Sequence, residues 1–222
     1  MNRRRTAIIA VATASVVAAS TAAVALAVPG QGTATELIAE AAEVPGTPAE
    51  LIGTSFLLPE HYIAFTLQDG ALTSVGAQAE LPEAILESIE EQLAAAGGQS
   101  IVFVDSDTAR ADGLTTALAT VTPTNGLTLG TSNEQMQQWL ASLFADLGGE
   151  VASLPVPEVP NASLTFPETI ATGEESTDEI TWYVTEYVSQ YADAAVSVRF
   201  STVDETGEDR AEFEVIMASM TR

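Results

Sequence analysis

The sequence predicts an α+β domain, an antiparallel β-sheet with helices packed on its faces. Three observations lead there. Short apolar or alternating runs recur along most of the chain and are separated by Gly, Pro and Asn-Gly or Asp-Gly signals. Three segments instead carry apolar residues at helical spacing, and they are spread among the strands rather than gathered at one end. No internal repeat or heptad pattern runs through the chain, so repeat arrays and coiled coils are excluded. Strand-rich chains with interspersed helices and short turns build sheets roofed by helices.

The folded part is expected to begin near Leu51. Thr54–Leu58 is a short strand stopped by Pro59. His61–Leu67 alternates Tyr62, Ala64 and Thr66 with Ile63, Phe65 and Leu67, and Asp69-Gly70 turns the chain into Ala71–Ala77. Leu81–Ala96 is a helix, with Pro82 at an early position and Ile85, Ile89 and Leu93 on one stripe; Gly97-Gly98 stops it. Ser100–Val104 is an apolar strand with both faces covered. Leu114–Val121 is another strand, and Asn125-Gly126 predicts a hairpin return through Leu127–Leu129. Ser132 is an N-cap for a helix to Leu147, with Met136, Leu140, Leu143, Phe144 and Leu147 inward and Trp139 at the edge. After a crossing through Pro155, Pro157 and Pro160, Ala162–Ile170 reads as a strand broken by Pro167, and 173–179 as an acidic turn.

The stretch Ile180–Val203 reads as two paired strands. Ile180, Trp182, Val184 and Val188 share one face of the first; Val196, Val198 and Phe200 share one face of the second, opposite Ser197, Arg199 and Ser201. Tyr183 and Tyr187 line the other face of the first strand and call for a cover of their own. Thr206 is placed to cap a last helix, whose inward stripe is Phe213, Ile216, Met217 and Met220.

Ahead of this domain, Met1-Asn2-Arg3-Arg4-Arg5 precedes an uncharged run from Thr6 to Ala34, with Ala25-Leu26-Ala27 as an A-x-A cleavage site and Gly32-Thr33-Ala34 as a weaker one. Basic head, apolar stretch and small residues form the layout of an export signal. The stretch approaches the roughly 20 residues that span a bilayer, so two outcomes stay open: residues 1–27 are a cleaved signal peptide, or residues 6–28 remain as an N-terminal anchor. The twin-arginine variant is weak, because no Phe or Leu follows the arginines where it needs one. Residues 28–50, rich in Pro, Gly, Ala and Glu, read as a flexible linker, and 51–222 as a single domain. The expected location is extracytoplasmic, secreted or anchored to the outer side of the cytoplasmic membrane.

Composition narrows function. The chain has 222 residues and no cysteine, which excludes disulfides, thiolate metal sites, a cysteine nucleophile and lipid attachment at cysteine. All seven basic residues are arginine; outside the N-terminal three, four arginines face 31 acids, a net of −27. Such a body repels phosphate backbones and anionic lipid, so nucleic acid is not a partner.

Candidate sites are thin. His61 is the sole histidine, no G-x-S-x-G elbow exists, and a triad or zinc site finds no partners for it. Asp105, Asp107 and Asp112-Gly113 share part of a calcium-loop spacing, but Ala109 and Arg110 occupy the places that need a ligand and a glycine. Glu174, Glu175, Asp178 and Glu179, and then Asp204, Glu205, Glu208 and Asp209, read as solvated turns and helix N-terminal charges. Trp139, Trp182, Tyr183 and Tyr187 have the spacing of core or interface packing more than of a sugar or lipid groove. Asn161-Ala162-Ser163 is a sequon that matters only in a eukaryotic secretory route. No catalytic, cofactor-binding or metal-ligating residue is therefore assigned.

The order of elements adds a resemblance. A strand ending in Pro59 with Tyr62 three positions on resembles the P-x-x-W opening of the PsbP/Mog1-like fold. The following "SIVFVD", "NEQMQQWLASLFADLGG", "ITWYVTEYV", "AAVSVRFST" and "EFEVIMASM" are similar to the LpqN/LpqT-type exported proteins of actinobacteria over about Leu51–Arg222. The resemblance implies an αβα sandwich and a non-enzymatic envelope role, and it supplies no catalytic residue. Tyr62 stands where that pattern has Trp, and the missing cysteine removes lipoprotein anchoring. High alanine, absent lysine and abundant acid accompany a GC-rich actinobacterial source. The expected function is a non-catalytic exported domain that binds an envelope protein or an apolar envelope molecule. A carboxylate-dependent hydrolase and a calcium-responsive surface module are the alternatives.

Overall fold

A computed structural model of the chain describes residues 46–222 except 78–79, 98, 108–114, 127, 148, 155–158 and 172–178, and the side chains of 170–171 and 179. The export signal, most of the linker, the acidic turn at 172–178 and the centre of the calcium-like loop lie outside the described residues. Among the described residues no helix is long and apolar enough to cross a membrane.

The elements run β1 (Thr47–Leu51), β2 (Thr54–Leu58), β3 (Tyr62–Gln68), β4 (Ala71–Gly76), α1 (Glu83–Ala96), β5 (Ser100–Asp105), β6 (Thr116–Pro123), α2 (Asn133–Leu143), β7 (Glu150–Ala152), β8 (Asn161–Ala171), β9 (Glu179–Gln190), β10 (Ala194–Thr202) and α3 (Glu208–Ala218). β1 and β2 form a small hairpin of their own. The other eight strands make one sheet in the order β4-β3-β5-β6-β10-β9-β8-β7, antiparallel at every pair. The α+β class and the antiparallel sheet carrying helices on both faces are as the sequence predicts.

Register fixes which residues share a face. Ile63 lies opposite Val104, Val104 opposite Thr116, Thr116 opposite Ser201, Ser201 opposite Val184, and Val184 opposite Phe166. This row runs across one face and joins two separate cores. In the first, Ile85, Ile89 and Leu93 of α1 pack on Ile63, Phe65, Val102 and Val104. In the second, Met136 and Leu140 of α2 pack on Ala162, Leu164, Phe166, Val184 and Val188. The opposite face holds the largest core, where α3 and the β1–β2 hairpin cover Tyr62, Ile101, Phe103, Val196, Val198, Phe200 and Tyr187. The two faces of β9 thus serve two cores, and α3 is the cover that Tyr187 requires.

Phe213 centres the α3 core. Its ring stacks on Phe200 at 4.8 Å between centroids and lies 6.0 Å from both Phe103 and Tyr187. Arg222 closes the same face from the chain's end. Its guanidinium donates to the Ile52 carbonyl in the β1–β2 turn and to the Thr54 hydroxyl at the start of β2, and to both oxygens of Asp193 in the β9–β10 turn.

The structure departs from expectation in six places. Pairing begins at Thr47, inside the segment read as linker, because Ala49 and Leu51 find core positions opposite Phe56 and Thr54. The Asn125-Gly126 turn exists, with φ of 49° and 84°, but Thr128 and Leu129 form no return strand. Both edges of β6 are already taken by β5 and β10. Pro167 does not break β8, since β7 ends opposite Thr165 and leaves an open edge where proline is tolerated. β7 itself, three residues on the sheet edge, was not foreseen. The α2 stripe stops early: the helix ends at Leu143, and Leu143 and Leu147 are 49% and 54% exposed. Gly207, in the left-handed region at φ 81°, is the residue at the start of α3. The capping acid is Asp204, which accepts from the Asp209 N–H and from the Thr206 N–H and hydroxyl.

Candidate functional site

Two features stand out from the packed layers, one on each face of the sheet. The first is a trough. α1 covers β3 and β5, and α2 covers β8 and β9, so among the described residues the outer faces of β6 and β10 lie between them with no helix centred above, although Leu118 packs against the edge of the α1 core. Alternation records this directly: the residues of β6 and β10 that face α3 are buried, and those on the trough side are half-buried. With strands about 4.8 Å apart and helices about 10 Å across, the helix axes are about 20 Å apart and the trough is about 10 Å wide.

The trough floor is polar. It carries Thr116, Leu118 and Thr120 from β6 beside Ser201, Arg199 and Ser197 from β10. Arg199 sits at the centre, donating at 2.8 Å to Glu186 and at 2.7 Å to Glu168, with its guanidinium carbon 6.0 Å from the Phe166 ring centroid. Burial pushes the Glu186 carboxyl up from its ordinary value, and Arg199 only partly offsets this. The helices on either side are acidic: α1 carries Glu83, Glu87, Glu90 and Glu91, α2 carries Glu134, and neither has a cation.

The second feature lies beneath the start of α3. Tyr62 and Asp105 are register partners, so their side chains share the α3 face, and both are almost fully buried. The Tyr62 hydroxyl has no hydrogen-bond partner. Burial, then the charges of Asp105, Glu212 and Asp209, push its ionisation far above the ordinary tyrosine value, so it stays a neutral hydroxyl. Asp209 reaches in from α3 and accepts at Oδ2 from the Thr115 and Thr202 hydroxyls at 2.5 and 2.7 Å. At the rim, His61 Nε2 meets Glu212 Oε1 at 3.1 Å, with the imidazole 4.9 Å from the Tyr62 ring.

The sequence candidates fall as follows. His61 is committed to Glu212, and the nearby Tyr62 hydroxyl is not bonded to it, so among the described residues the imidazole holds no nucleophile. Asp105 Oδ1 accepts from the Asp107 N–H within its own loop. Asp112, Gly113 and Arg110 lie outside the described residues, as do Glu174, Glu175 and Asp178. Among the described residues no three His, Asp or Glu side chains are grouped to hold a metal ion. Trp139 and Trp182 border the α2 core, whereas Tyr187 is buried on the opposite face and donates to Glu214, so these aromatics do not line one groove. Sequence reasoning missed Tyr62 and the trough. The sign of the first was a tyrosine on the face that Ala64 and Phe103 make apolar; the sign of the second was the polar alternation of Ser197, Arg199 and Ser201.

No family model matches the chain, and no curated protein matches it. Among solved structures, the chain is similar to a crystal structure from Bacteroides thetaiotaomicron, at 12% identity over 76% of this chain and 44% of that one, with a TM-score of 0.40. It is also similar to the solution structure of cyanobacterial PsbP (CyanoP) from Synechocystis, at 14% identity over 83% of this chain and 98% of that one, with a TM-score of 0.39. The chain spans less than half the length of the Bacteroides structure.

Proposed function

We propose that this chain is a non-catalytic extracytoplasmic domain that holds an extended basic segment of an envelope protein in the trough between α1 and α2. The trough itself carries the reading: two central strands of an eight-stranded sheet present one half-buried face over which, among the described residues, no helix is centred. A width of about 10 Å accepts an extended chain or a single helix. The hydroxyl-rich floor favours a polypeptide, with its amide groups, over an apolar molecule. Acid on both flanking helices, and a body whose described arginines are all paired with carboxylates, favour a partner that brings Lys or Arg. The export-signal layout of residues 1–27 and the sequence resemblance to LpqN/LpqT-type envelope proteins support the extracytoplasmic part of the reading.

The test uses the isotope-labelled chain and two peptides, a lysine–glycine repeat and a glutamate–glycine repeat of equal length. The lysine peptide is expected to shift the amides of Thr116, Thr120, Ser197 and Ser201, and Ser197→Trp is expected to abolish those shifts by filling the floor. Shifts scattered over the acidic surface, or a response to the lysine peptide that survives Ser197→Trp, would refute the trough as the site.

A further inference from the structure

Among the described residues four buried side-chain oxygens lack a partner, and one of them, the Tyr62 hydroxyl on the other face of the sheet, lies under the charge of three acids. We propose that Tyr62, Asp105, Asp209 and Glu212 form a receptor for a primary ammonium group, with His61 at its rim. A hydroxyl that is 1% exposed and makes no hydrogen bond is costly, and native structures keep such groups where a ligand or water completes them. The charges that act on Tyr62 say which ligand. Three carboxylates, on β5 and α3, are near enough to raise its ionisation, so an anion is repelled.

A bare metal ion is disfavoured too. It needs oxygens drawn to within about 2.0–2.6 Å of one point, and no three acids among the described residues converge that closely. An ammonium nitrogen makes its contacts at about 2.8–3.0 Å and has three donors to share. Tyr62 Oη can accept one of them. Asp209 is bonded only at Oδ2 among the described residues, which leaves Oδ1 for a second. Glu212, half-exposed at the rim, supplies the third by exchanging His61 for the ligand. The rings of His61, Tyr62 and Phe213 lie in sequence along the site, at centroid spacings of 4.9 and 6.3 Å, and give the cation aromatic faces as well.

This site and the trough lie on opposite faces, so each stands or falls alone. The experiment is a melting series of the full chain in methylammonium chloride against tetramethylammonium chloride, which has equal charge but no N–H donor. At about a hundredfold excess over Kd, methylammonium is expected to raise the melting temperature by roughly 5–10 °C, and tetramethylammonium is not. Tyr62→Phe and Glu212→Gln should each lose the response, and Tyr62→Phe without ligand should melt no lower than the wild type, because it removes an unsatisfied hydroxyl. An equal response to the two salts, an unchanged response in Tyr62→Phe, or a clear destabilisation of ligand-free Tyr62→Phe would overturn the proposal. Nα-acetyl-lysine methylamide distinguishes the sources. A response like that to methylammonium assigns the group to a lysine of a polypeptide; a response to methylammonium alone assigns it to a small free amine.

Discussion

Single charged residues in this molecule act through what they are bonded to. Asp204 is the clearest case: its side chain takes three donors at the start of α3, and those bonds hold its carboxyl below the ordinary carboxylate value. A depressed folded-state pKa contributes stability that is present above the unfolded value and is lost as pH falls through the folded one. Asp204→Ala should therefore flatten the acid side of the stability profile below about pH 4, as read by melting temperature against pH, and it should cost about 1 kcal/mol at neutral pH as a lost cap. Glu186 has the opposite sign. Its carboxyl is raised because burial outweighs Arg199, so its contribution is present below the unfolded value of 4.5 and is lost as pH rises through the raised one. Glu186→Gln should remove that decline and leave the rest of the profile alone. Arg199→Ala does the reverse: it strips the partner from a carboxylate only 13% exposed and should cost about 2–4 kcal/mol in chemical denaturation.

At the scale of elements, α3 and the chain end hold one whole face. Phe213 touches strands from both halves of the sheet, so Phe213→Ala opens a cavity that no single strand can collapse into; a loss of about 3–5 kcal/mol is expected by urea unfolding. Arg222→Ala acts on a different link, the tie between the β1–β2 and β9–β10 turns. It should speed hydrogen exchange at the Ser55 and Thr221 amides, which pair with each other's carbonyls, while Val102 and Val198 in the sheet centre keep their protection. These elements also show what the sequence could tell and what it could not. Phe213, Ile216, Met217 and Met220 were legible because a stripe at helical spacing is a local pattern. So were the alternations of β6 and β10. The missing return strand after Gly126 was not legible, because its absence depends on which strands flank β6, and that is settled by residues 60 or more positions away. β1 was hidden by Gly46 and Pro48, which signal a linker locally yet suit a short hairpin edge. The trough and the orphan hydroxyl of Tyr62 left only local signs in the sequence, and their meaning was hidden for the same reason. One is a space between two helices distant in sequence; the other is a group whose neighbours come from β5 and α3.

Across the whole molecule the controlling quantity is charge. Arg199, Arg210 and Arg222 each sit in an ion pair with an acid, so they neutralise chosen carboxylates and leave the remaining surface anionic. The chain as a whole carries a formal charge of −24 at pH 7. Self-repulsion of this kind opposes compaction, and it is screened once the Debye length falls from about 30 Å at 0.01 M salt to about 3 Å at 1 M. The melting temperature should therefore climb with sodium chloride over that range and level off at its upper end. Potassium chloride should give the same curve, since screening depends on ionic strength and not on the identity of the cation. Choline chloride should match both if screening is the whole effect. A sodium-specific rise would instead mean that carboxylates bind the ion directly, and it would refute screening as the whole effect.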